Sequence, residues 1–119
     1  MKLSELVKEL GLKVRAASEN MEVEVTGGYV GDLLSDVMGN AREGQVWITR
    51  QTHQNIVAVA NLKELAGIIL VNGCEPAPET VDKAKEVGVP ILVSDLKAFE
   101  LAGKVYVIIA KAKGGIPGE

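Results

Sequence analysis

Cysteine and histidine occur once each, and aromatic side chains make up 3% of the 119 residues. A lone Cys74 cannot close an internal disulfide, and with only His53 beside it no zinc cluster of ordinary ligand spacing can be assembled. No metal or cofactor is therefore expected. Tyr29, Trp47, Phe99 and Tyr106 are too scattered for a base-stacking platform. Basic runs are also missing: 13 Lys and Arg stand against 16 Asp and Glu, a net charge of −3, which argues against nucleic acid as a partner. No stretch reaches the roughly 18 uncharged apolar residues of a bilayer span, and Glu5 and Glu9 interrupt the start where a signal peptide would be apolar. The expectation is a soluble, cytoplasmic protein with no membrane partner. Neither a Gly-x-Gly-x-x-Gly fingerprint nor a phosphate loop with its lysine is present.

What is abundant is aliphatic bulk. An apolar fraction of 47% suffices for one core without staples, so residues 1–110 are read as a single domain and 111–119, rich in glycine, as a disordered tail. Leu3, Leu6, Val7 and Leu10 recur at helical spacing up to Gly11, giving a helix over 4–10, followed by a strand over 12–16. Val23 and Val25 alternate with Glu22 and Glu24, which predicts a second strand running into a glycine turn at Thr26–Gly28. Asp32 is placed to cap a short helix from Leu34. The β-branched runs Val46–Thr49, Ile68–Val71 and Val89–Val93 predict buried strands. They are separated by helices over 53–65 and from Pro78 to Gly88, with a last helix capped by Ser94 or Asp95. This alternation predicts an α/β fold: a largely parallel central sheet with helices on both faces.

In such sheets the loops at the strand carboxyl ends hold ligands. The first of them offers Thr49, Gln51, Thr52, His53 and Asn55, a density of hydroxyl, amide and imidazole groups suited to a polar ligand such as a nucleotide or another small anion. Asn72, Gly73 and Ser94 lie on the same edge. The competing reading has Thr52 capping a helix and the other groups solvated. Thr26, Gly27, Gly28, Tyr29, Gly31 and Asp32 bring three glycines to a helix start, either as a conformational turn or as backbone donors for an anion. No nucleophile, base and carboxylate share a recognisable local context, so no catalytic residue is assigned and no enzyme is expected.

Lys97, Glu100, Lys104 and Lys111 fall within about 60° of one another on the last helix. If Leu96, Phe99, Ala102 and Tyr106 cover the sheet, then Leu101, Val105, Ile108 and Ile109 form a second apolar flank, read as a homodimer interface. The alternative is that Gly103 ends the helix and Val105–Ile109 form a strand.

The run Glu24-Val25-Thr26-Gly27-Gly28-Tyr29-Val30-Gly31-Asp32-Leu33-Leu34-Ser35 resembles the signature of DRTGG domains. Gly44–Thr49, Gly67–Val71 and Val89–Ser94 are similar to the same family, and Cys74–Pro78 through Phe99–Gly103 resemble the N-terminal domain of HPr kinase/phosphorylase. The resemblance implies that domain's α/β fold. It implies no kinase activity, since the phosphate loop of those enzymes lies in a separate domain. It does imply a regulatory or scaffolding module acting through homodimerisation and an unidentified protein partner, or alternatively a nucleotide sensor. Glu24-Val25 replaces the family's Asp-Arg pair, which removes a guanidinium that could have paired with an anion.

Overall fold

The computed structural model describes residues 1–115. Along the chain run α1 (Leu3–Leu10), β1 (Lys13–Ala16), a 3₁₀ turn (Ser18–Asn20), β2 (Gly27–Val30), α2 (Leu34–Asn40), β3 (Gln45–Thr49), α3 (Asn55–Leu62), β4 (Gly67–Leu70), α4 (Pro78–Val87), β5 (Ile91–Val93) and α5 (Ala98–Ala112). The five strands lie in the order β1-β5-β4-β3-β2. β2 to β5 are mutually parallel, and β1 joins antiparallel to β5. The α/β architecture with a mostly parallel sheet agrees with the sequence.

Every residue of β4 and β5 is buried, as uncharged β-branched strands in the middle of a parallel sheet must be. One sheet face packs Trp47, Ile68, Leu70 and Ile91 against Val37 of α2, Ile56 and Ala60 of α3, and Ala84 of α4. The other packs Val46, Ile48, Ile69 and Leu92 against Leu3 and Leu6 of α1 and Leu101, Val105 and Ile109 of α5. Helices thus cover both faces. The helices following β2, β3 and β4 share one side, and α5, following β5, takes the other. The topological switch point therefore falls between β4 and β5.

Three expectations are corrected. Residues 22–25 make only one isolated bridge, Lys2 to Glu24, and the strand is instead Gly27–Val30. Thr26, Gly27, Gly28 and Tyr29 are thus no turn, and neither of these glycines has a positive φ. The chain is forced straight because Thr26 N donates to Gly44 O at 2.9 Å and Thr26 Oγ1 donates to Glu43 O at 3.0 Å, which starts the parallel ladder with β3. Gly44 permits this approach: its φ is +81°, and a Cβ there would stand 2.7 Å from Thr26 Cγ2.

The second correction concerns α5, which runs unbroken through Gly103. Leu101, Val105 and Ile109 face the sheet with 0, 2 and 7% exposure, and it is Phe99, at 91%, and Tyr106, at 56%, that point outward. Ile108 is half-buried against the same core. The flank assigned to a dimer contact is therefore the core-facing side: the branched aliphatics fill the space over the sheet, and the two aromatics remain outside. The third is the tail. Lys111 and Ala112 belong to α5, and the tail expected beyond them lies from residue 116 outside the described residues.

Candidate functional site

At the carboxyl ends of β2 and β3, Thr49 and Gln51 of the expected ligand residues come together with Asp32, and their polar groups satisfy one another. Asp32 does not cap α2. Its Oδ1 accepts from Thr49 Oγ1 at 2.7 Å and from Arg50 N at 2.8 Å, and its carbonyl accepts from Gln51 Nε2 at 2.8 Å. Gln51 N donates to Thr49 Oγ1 at 3.2 Å. The Thr52 carbonyl accepts from Thr80 Oγ1 at 2.7 Å and Ala77 N at 3.1 Å, which ties the loop to the start of α4. Thr52 caps nothing, since Gln54 is the residue preceding α3. His53 and Asn55 are exposed. Gly31, in the same junction, accepts at its carbonyl from Trp47 Nε1 at 2.8 Å. Tyr29 donates its hydroxyl to Asp36, and this bond holds the phenol above its ordinary pKa.

The crevice at the β4/β5 switch point is closed by the chain itself. Asn72 and Gly73 adopt left-handed conformations at φ +59° and +67°, which aims their N–H groups across the gap. Asn72 N donates to Leu96 O at 2.7 Å and Gly73 N to Ser94 O at 3.0 Å, so these donors are already committed. Ser94 is buried and its Oγ accepts from Leu96 N at 3.1 Å. Arg15 grips Glu75 through two hydrogen bonds, of 2.7 and 2.9 Å, strapping the loop to β1. That guanidinium holds the Glu75 carboxyl below the usual carboxylate range. Its contribution to stability is present above that range and is lost as pH falls through the depressed value.

The opposite case lies at the other end of the sheet, where Glu43 hydrogen-bonds Glu64. That bond, and then the mutual repulsion of the two carboxylates, raise the Glu43 pKa. A raised carboxyl stabilises the native state below its ordinary pKa, and the benefit disappears as pH rises through the raised value. Glu64→Gln should consequently increase the melting temperature near neutral pH more than near pH ~4. Thermal melts followed by circular dichroism at the two pH values measure the difference.

A broad concavity lies elsewhere. Between β2 and α5 runs an apolar groove of about 760 Å³, walled by Gly28, Val30 and Ile48 on the sheet and by Ala102, Val105 and Tyr106 on the helix. Val30 is 52% exposed on the sheet edge. At the far end Lys113 donates its ammonium to Thr26 O, joining the helix end to the start of β2. The sequence does not reveal this groove, because the apolar residues on both borders of the charged stripe of α5 leave its phase ambiguous. Among the described residues, no three His, Cys, Asp or Glu side chains converge as a metal site would require, and no helix is long and apolar enough to cross a membrane.

Residues 5–107 match the family model of the DRTGG domain. The fold is similar to the CBS and DRTGG domains of the regulatory region of the Clostridium perfringens pyrophosphatase, solved in complex with its activator diadenosine tetraphosphate. The TM-score is 0.70 at 16% identity, over 90% of this chain and 45% of that one. The chain thus spans less than half the length of the structure it resembles. No curated protein sequence matches it. With a family match over residues 5–107, the chain belongs to the DRTGG domain family.

Proposed function

We propose that this domain is a non-catalytic regulatory or scaffolding module that acts by self-association and partner binding through the β2/α5 groove. One contrast carries the reading. Asp32, Thr49 and Gln51 of the sheet's carboxyl edge are engaged with one another, and the Asn72 and Gly73 amides with backbone carbonyls, whereas the groove presents apolar surface with Phe99 and Tyr106 exposed beside it. A water-exposed phenylalanine beside a greasy cleft is characteristic of a contact surface. Light scattering coupled to size exclusion should give the mass of a dimer for the wild type and of a monomer for Phe99→Glu. A wild-type monomer at hundreds of micromolar would defeat the proposal.

A nucleotide-sensing role is the second reading, motivated by the nucleotide activator bound in the pyrophosphatase regulatory region. It places the ligand over the exposed Arg50, His53 and Asn55 at the edge beside Thr49 and Gln51. Binding to the native state raises the melting temperature by mass action. An unchanged melting temperature in millimolar ATP and diadenosine tetraphosphate would dispose of it.

A further inference from the structure

The outer side of α5 has a feature that nothing among the described residues accounts for. Gly103 lies in the middle of the α-helix Ala98–Ala112, where glycine is a poorer helix former than alanine. A Cβ built on it meets no atom of the described residues within 4 Å. Neither a close internal approach nor a left-handed backbone requires it. Gly103 is, however, flanked along the helix by the two aromatics that water surrounds, Phe99 and Tyr106.

Phe99, Gly103, Tyr106 and Ala110 follow one another at spacings of four, three and four residues, the repeat of a helix-pairing seam. All four line the groove. The seam alternates large, small, large, small. Reversed against itself, it sets Phe99 level with Ala110 and Gly103 level with Tyr106. Both pairings share one midpoint, at the level between Lys104 and Val105, so a single two-fold axis satisfies them together. On one flank the same register brings Glu100 close to Lys111 of a reversed copy, and both side chains are exposed in the single chain. The alternation of bulk, with the Glu100–Lys111 pairing on one flank, therefore suits a second copy of this helix.

We propose that two copies pair through α5 in an antiparallel helix seam, with Phe99 seated over the partner's Ala110 and Gly103 receiving the partner's Tyr106. This inference rests on the self-association proposed above and adds the register. Gly103 is then the socket that lets the two helices approach, and its cost within the isolated helix is offset in the pair.

The test is Gly103→Leu, which fills the socket and improves helix propensity, so the domain should melt no lower than the wild type by circular dichroism. Its dimer, measured by sedimentation equilibrium, should have a dissociation constant at least tenfold higher than that of the wild type. Gly103→Leu/Tyr106→Ala, which removes the side chain that the leucine obstructs, should recover most of that loss. A wild type that is monomeric would sink both the self-association and the register. A dimeric wild type whose Gly103→Leu variant associates equally well would overturn the register alone, as would a double variant no tighter than the single one.

Discussion

Leu101→Glu should unfold the domain, while Phe99→Glu, two residues earlier on the same helix, should leave its melting temperature nearly unchanged. Leu101 has no exposed surface and sits in the cluster formed by Leu3, Leu6, Ile69 and Leu92. Truncating such a leucine to alanine costs about 2–5 kcal/mol. A glutamate in its place adds the penalty of an unpaired buried carboxylate, relieved only in part by protonation. Domain stabilities of about 5–15 kcal/mol leave little margin for that sum. Phe99 is 91% exposed, so a charge there meets water and carries no burial penalty. Circular dichroism melts of the two variants decide between the orientation described and its reverse. Equal destabilisation of both, or a stable Leu101→Glu, would contradict the placement of α5.

Why the sequence misleads at this helix is a matter of symmetry. The charged stripe of Lys97, Glu100, Lys104 and Lys111 marks the solvent side, but apolar residues border it in both directions, so the stripe alone does not say which border meets the sheet. The structure puts the branched aliphatics Leu101, Val105 and Ile109 inward, and their closer packing against the β-branched strands explains the choice. β2 was illegible for a different reason. Thr26-Gly27-Gly28 has the composition of a turn, and the contacts that straighten it, to Gly44 and Glu43, lie many residues away. The central strands were plain from Val46–Thr49, Ile68–Val71 and Val89–Val93, since uninterrupted β-branched runs admit few other environments.

The candidate ligand edge was legible as a set of residues but not as a set of partners. Thr49, Gln51 and Asp32 do meet, as their position at the carboxyl ends of parallel strands requires. Sequence cannot tell that their hydrogen-bonding groups are directed at one another. Asp32 in particular has the spacing from Leu34 of a helix cap. In the fold its carboxylate is instead the acceptor that joins the β2 and β3 exits. Gly31 and Asp32 are thus the part of the family motif that bridges two strands, and the ladder from Thr26 to Val30 delivers them there.

That bridging gives the largest single-residue effect expected outside α5. Trp47 is fully buried in the centre of β3, and its indole N–H donates to Gly31 O at 2.8 Å. Trp47→Ala should lower the unfolding free energy by about 3–5 kcal/mol, the usual range for deleting a buried aromatic. Trp47→Phe keeps most of the volume but strands the Gly31 carbonyl, and should cost about 1–3 kcal/mol. Urea titrations followed by circular dichroism measure both, because the only tryptophan is lost as a fluorophore. The midpoints should fall in the order wild type, phenylalanine, alanine, at nearly constant m-value. A phenylalanine variant as stable as the wild type would mean that the indole bond does not hold Gly31 and Asp32 against β3, and that the edge network rests on Thr49 and Gln51 alone.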